Sequence, residues 1–205
     1  SKVVAAIRRF LENRGFIEVE TPVLQESAGG AAARPFVTHY NALGEDRYLR
    51  ISLELHLKRL LVGGFERVFE IGRIFRNEGL GAKYNPEFTM LETYEAYADY
   101  LGVAEMVEEM VATVAQEAFG RLTFNFRDHE IDLTPPWRRI TFHDALREYG
   151  DLDLDAFPTA ESLRAELERR GLELPPNAGY GKLADEAMSH YVEPNLIQPT
   201  FLLDY

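Results

Sequence analysis

Apolar and polar positions change period several times along the chain, and each change marks an element. Val3, Val4, Ile7, Phe10 and Leu11 recur at helical spacing with Arg8, Arg9 and Glu12 off that face, and Gly15 stops the amphipathic helix. Phe16 to Thr21 then alternates as a strand, which Pro22 limits to a sheet edge or a sharp departure. Ser27 to Ala33 is built from small residues, a loop whose backbone can approach a ligand closely. Tyr48 to Ile51 reads as a short strand. Leu53 to Val62 reads as a helix with Leu53, Leu57, Leu60 and Leu61 on its apolar face, ended by Gly63-Gly64.

The segment from Arg67 to Gly79, followed by Asn85 to Tyr94, predicts two strands joined by a short polar loop. Val68, Ile71 and Ile74 are apolar on the first, with Phe69 and Phe75 beside them; Phe88, Met90 and Leu91 are apolar on the second. Side chains two apart on a strand project from one face, so Phe88, Met90, Glu92 and Tyr94 share a surface. An aromatic plane, a carboxylate and a phenol beside Arg76 suit a purine nucleotide and a cationic ligand. The face therefore reads as a site and not as core.

Beyond it, Asp99 or a neighbour caps a long helix from about Val103 to Phe119. Thr123 to Leu133 alternates again until Pro135-Pro136 breaks it. Thr141 opens a helix through Tyr149, and Asp151 to Pro158 is an acidic loop. Thr159 caps a helix that Gly171 closes, and Pro175-Pro176 precedes a last helix near Lys182 to Tyr191 and a strand from Leu196 to Phe201. Antiparallel strands in the middle with helices around them give an α+β fold, an antiparallel sheet flanked by helices. Neither a Gly-x-Gly-x-x-Gly nor a Walker loop is present, so any nucleotide is held in another way.

Composition narrows the chemistry. With 205 residues and a 46% hydrophobic fraction the chain can bury one substantial core. The absence of cysteine excludes disulfides and thiolate metal sites. Ser1 opens no signal peptide and no apolar run is long enough for a bilayer, which fits a cytoplasmic protein with no membrane partner. The net charge of −12, from 34 acids against 22 bases, opposes a dedicated nucleic-acid module, because such binding draws on Lys and Arg at phosphates. His56, His129, His143 and His190 form no ligand pair, so no metal role is assigned within this chain.

Phe75-Arg76-Asn77-Glu78 and Asn85-Pro86-Glu87-Phe88-Thr89-Met90-Leu91-Glu92 resemble motif 2 of the class II aminoacyl-tRNA synthetases, and among these the lysyl-tRNA synthetases. Gly15 to Pro22 resembles motif 1, Gly29 to Phe36 the family's glycine-alanine loop, and Leu196 to Phe201 a later strand. The resemblance implies a partial class II catalytic domain over residues 1–205, with a small helical insertion at about 156–191 and no N-terminal anticodon-binding domain in view. It implies activation of L-lysine by ATP to lysyl-adenylate and transfer to tRNA(Lys), with a homodimer formed through residues 1–24.

Residue roles follow from the same resemblance. Arg76 is the catalytic cation, bridging the lysine carboxylate and the α-phosphate. Glu78 bonds the nucleotide, Phe88 stacks on adenine, and Tyr84, Asn85 and Met90 complete the ATP site; Tyr84 stands where lysyl enzymes often place a histidine. Gly30 and Glu54 hold the α-amino end of lysine, and Glu92 and Tyr94 the ε-amino end. The chain closes at Asp204-Tyr205 before anything resembling motif 3, so the magnesium ligands are expected downstream and this stretch alone is expected to be impaired. A lysine-type ligase acting on elongation factor P, and a non-catalytic dimerisation or regulatory fragment, are the competing readings.

Overall fold

The computed structural model describes residues 1–79, 81 and 84–205, which form two compact units, Ser1–Val103 and Ala104–Tyr205. In the first unit, helix α1 (Lys2–Asn13) buries Ala6, Phe10 and Leu11 and turns at Gly15, whose φ of 80° favours a residue without Cβ. Strand β1 (Ile17–Glu18) follows. Two short strands, β2 (Leu24–Gln25) and β3 (Val37–Tyr40), pair on either side of β4 (Glu45–Leu49). Helix α2 (Glu54–Val62) leads into the long hairpin of β5 (Arg67–Phe75) and β6 (Glu87–Glu95).

The hairpin is antiparallel over nine residue pairs, from Arg67 opposite Glu95 to Phe75 opposite Glu87. Strand β1 flanks β5 in parallel, pairing Ile17 with Val68 and Glu18 with Phe69. It is shorter than the alternation from Phe16 to Thr21 suggests. After one further bond, from Val19 N–H to Phe69 C=O, the chain leaves the sheet toward Pro22, which has no N–H to continue the ladder. Val37–Tyr40 carries no alternation of burial, all four residues being exposed, which is why the sequence pattern does not reveal that strand.

Helix α3 (Tyr100–Phe119) runs across the boundary between the units; the Asp99 carboxylate accepts from Gly102 N–H at 2.8 Å, as a cap should. The alternating stretch from Thr123 to Leu133 is two strands, β7 (Thr123–Phe126) and β8 (His129–Asp132), folded into a hairpin at Arg127, whose φ is 53°. Strand β9 (Arg138–Thr141) pairs in parallel with β10 (Thr200–Leu203). The last strand starts at Thr200 and not at Leu196, because Pro199 cannot donate; Gln198 instead reaches β8 with its side chain, donating to Glu130 C=O at 2.7 Å.

Between β9 and β10 lie α4 (Phe142–Gly150), α5 (Ala160–Arg169) and α6 (Tyr180–Ala187). Thr141 caps α4, and Thr159 with Ser162 forms a reciprocal cap on α5. Helix α6 ends at Ala187 and loosens into a wide turn over Met188–Val192. Leu146, Leu163, Leu167, Leu183, Met188 and Val192 make the core of this second unit. The mixed fold, antiparallel sheets flanked by helices, is the one the sequence implies.

Candidate active site

Pairing in the β5–β6 hairpin sets Val68, Glu70, Gly72 and Ile74 directly opposite Tyr94, Glu92, Met90 and Phe88. Opposed residues of an antiparallel pair share a face, so two glutamates sit across from one another on the side that α2 covers. That face is not free of core. Val68 and Ile74 join Leu53 and Leu57 in a buried cluster, and Phe88, Met90 and Tyr94 pack against it. The expectation of a site and not a core is corrected in this respect: Val68 and Ile74 are buried core, Phe88, Met90 and Tyr94 are half-buried residues packed against it, and the carboxylates lie among them.

The two carboxylates are neutralised differently. Glu70 Oε1 accepts from Arg50 Nη1 at 2.6 Å and Glu70 Oε2 from Thr21 Oγ1 at 2.6 Å, with the Arg50 and Glu70 side chains only 5% and 3% exposed. Arg50 also donates from Nε to Arg73 C=O at 2.8 Å and from Nη1 to Thr21 C=O at 2.9 Å. A Cβ at Gly72 would overlap this guanidinium and stand 3.0 Å from Glu70 Oε1, so a side chain there would push the Arg50 head out of its present place. Neither Glu70 nor Arg50 stands out as a site residue in the sequence. The available signal was a charge inside each apolar run, Leu49-Arg50-Ile51 and Phe69-Glu70-Ile71, of opposite sign.

Glu92 has no ion pair among the described residues. Its Oε1 accepts from Ser52 Oγ at 2.8 Å and from Leu53 N–H at 3.0 Å; its Oε2 accepts from Tyr94 Oη at 3.1 Å. A carboxylate has about four acceptor sites, so roughly one remains open, on Oε2 beside the phenol. Burial and then the Glu92 carboxylate push the Tyr94 phenol well above its ordinary range. Tyr94 therefore stays protonated at neutral pH and donates to Glu92.

Gly30 adopts a φ of 86°, and a Cβ there would stand 3.0 Å from both Ser52 Oγ and Glu54 Cβ, so the glycine-alanine loop runs close against the start of α2. Glu54 Oε1 is engaged by Lys58 Nζ at 2.6 Å, one helical turn on. Gly30, Glu54, Glu92 and Tyr94 are thus gathered around Ser52, a residue the sequence reading did not single out.

The remaining expected residues gather at the other end of the hairpin. Arg76, Glu78, Tyr84, Asn85 and Phe88 line a cleft of about 440 Å³. The Arg76 guanidinium lies 5.3 Å from the Phe88 ring centroid and donates from Nε to Ile51 C=O at 3.3 Å. Neither Glu70 nor Glu78 pairs with it among the described residues. Glu78 is exposed and also borders a neighbouring recess with Arg34 and Asn77, whose N–H donates to Arg34 C=O at 2.7 Å. Met90, opposite Gly72, packs between the two groups.

A family model described as tRNA synthetases class II (D, K and N) matches residues 1–205. The chain belongs to the class II tRNA synthetases. Among curated relatives, lysine–tRNA ligases of Dehalococcoides mccartyi and Moorella thermoacetica are each 57% identical over 205 residues, all of this chain and 41% and 42% of those proteins. That of Nostoc punctiforme is 53% identical over 206 residues, covering all of this chain and 37% of its own length. The chain spans about two fifths of the length of the curated relatives it matches. No helix among the described residues of this synthetase chain is long and apolar enough to cross a membrane. Nor could any group of three or more His, Cys, Asp or Glu side chains among them hold a metal ion.

Proposed function

We propose that the protein carrying this chain activates L-lysine with ATP and transfers it to tRNA(Lys). The observation that carries this reading is Glu92, a half-buried carboxylate held by three neutral donors, with no cation among the described residues and an open acceptor site beside the Tyr94 phenol. A desolvated ammonium group needs such a partner. Lysine would place its ε-ammonium on Glu92 and Tyr94, and its α-ammonium near Glu54 and the Gly30 backbone.

In the first step a lysine carboxylate oxygen attacks the α-phosphorus of ATP, the bond to the bridging oxygen breaks, and pyrophosphate leaves with that electron pair. Both reactants are anions, so positioning and positive charge dominate catalysis. Arg76 supplies that charge: a guanidinium beside an apolar ring can bridge carboxylate and phosphate through two N–H groups. Phe88 gives adenine a ring face, Glu78, Tyr84 and Asn85 line the same cleft, and Met90 packs against the core two residues along the strand. Magnesium, when bound, would add positive charge at the phosphates, but no group of three or more His, Cys, Asp or Glu side chains among the described residues could hold it.

The reading extends to a cytoplasmic homodimer joined through residues 1–24, where Val3, Ile17, Val23 and Leu24 are exposed, and to a small insertion formed by the helices of residues 156–191. The test is amino-acid-dependent ATP–pyrophosphate exchange by a protein carrying this chain at the length of its relatives. Exchange with lysine supports the proposal; exchange with aspartate or asparagine in its place overturns it.

A further inference from the structure

Glu92 reaches the start of helix α2 from a neighbouring strand and takes over its capping. Leu53, the residue before the helix, has no side-chain oxygen to bond the free N–H groups, and Glu92 Oε1 accepts from Leu53 N–H at 3.0 Å instead. Ser52 completes the arrangement. Its Oγ accepts from Glu54 N–H at 3.1 Å and lies 2.8 Å from Glu92 Oε1. An ionised carboxylate can only accept, so the single hydroxyl proton of Ser52 points at Glu92. Ser52 is itself buried, at 4% exposure, with the Gly30 loop running close beside it.

We infer that Ser52 is a positioning residue for cation recognition: it fixes Glu92 Oε1 against α2 so that Oε2, together with the Tyr94 hydroxyl, faces the ligand's ammonium group. This rests on the reading of Glu92 as the lysine ε-ammonium partner. A carboxylate bonded on one oxygen by two donors at the start of one helix is held closely against it, whereas without Ser52 only Leu53 N–H anchors Oε1 and the Tyr94 hydroxyl Oε2, which leaves the carboxylate more freedom to turn. Preorganisation of this kind raises affinity by removing the ordering cost at binding. The partial positive charge at the first turn of α2 also stabilises the carboxylate while no cation is bound.

The experiment is a double-substitution cycle in a protein carrying this chain at the length of its relatives, measured by lysine-dependent ATP–pyrophosphate exchange. Ser52→Ala should raise KM for lysine roughly tenfold, equivalent to about 1.4 kcal/mol, while KM for ATP stays within about twofold and the melting temperature changes little. In a Glu92→Gln background the same Ser52→Ala change should alter KM for lysine less than about threefold, because the charge it orients is gone. An equal penalty in both backgrounds makes Ser52 a packing residue and overturns the inference, as does a Ser52→Ala protein with unchanged KM for lysine. Absence of lysine-dependent exchange in the unsubstituted protein overturns the functional reading itself, which separates the two failures.

Discussion

The buried Arg50–Glu70 pair should be a principal electrostatic support of the first unit, and its strength can be worked from its surroundings. Replacing Glu70 by Leu leaves a guanidinium only 5% exposed without its counter-ion. Breaking a buried pair on one side costs about 3–5 kcal/mol. Arg50 keeps two backbone acceptors, Arg73 C=O at 2.8 Å and Thr21 C=O at 2.9 Å, so the lower end, about 3 kcal/mol, is expected. Arg50→Met should cost a similar amount, because Glu70 then retains only the Thr21 hydroxyl. The two changes together should cost less than their sum by at least about 1.5 kcal/mol, since residues of one network are coupled. Urea denaturation of the chain followed by circular dichroism gives the three values. Heating gives an independent scale, about 2–4 °C per kcal/mol at this size, so each single change should lower Tm by roughly 6–12 °C. Additivity within about 0.5 kcal/mol, or a single-site cost below about 1 kcal/mol, would refute the claim that this pair ties the Thr21 segment to the hairpin.

Three further outcomes are expected. Arg76→Ala should lower the rate of lysine-dependent pyrophosphate exchange by about a hundredfold or more, in line with removal of one charge-stabilising donor; an unchanged rate assigns Arg76 to packing against Phe88. Glu92→Gln should raise KM for lysine far more than KM for ATP in the same assay, and equal changes in both would place the ammonium pocket elsewhere. Glu166 accepts from Arg169 and Arg170, and these bonds hold its carboxyl down at about 2, below the usual 4.5. Its contribution to stability is therefore present in full above pH 4.5 and lost as pH falls toward 2, so thermal melts of the unaltered chain and of Glu166→Gln should differ at pH 7 and converge under strong acid.

Most of the fold is legible in the chain because its elements bury one face at a regular period. Helix α1, helix α2, the β5–β6 hairpin and the Thr141 and Thr159 caps all announce themselves that way. Strand β3 does not, because exposure on both faces leaves no alternation to read. The hairpin of β7 and β8 reads as one alternating stretch because its turn, at Arg127, has no glycine to mark it. The site was legible where the sequence places its parts two residues apart, as at Phe88, Met90, Glu92 and Tyr94. Ser52 and Arg50 come from a segment distant in sequence, and only the packing of α2 and of the stretch just before it on the hairpin brings them to Glu92 and Glu70.

Opposition of Glu70 and Glu92 in the hairpin explains why one face can serve as core and as site. Like charges directly across two strands destabilise a sheet, and burial beside Val68 and Ile74 sharpens that penalty. At Glu70 the chain answers with a built-in cation, Arg50, accommodated by the absence of a side chain at Gly72. At Glu92 it answers only with hydrogen-bond donors: Ser52, Leu53 N–H and the Tyr94 phenol. These donors bond the oxygens without cancelling the charge, and the half-buried position of Glu92 limits the water that would screen it. The residual negative potential is therefore concentrated at one oxygen of one strand, where, on the proposed function, an incoming ammonium would complete the pairing that its neighbour already has. A second internal cation at that point would stabilise the sheet and abolish the site.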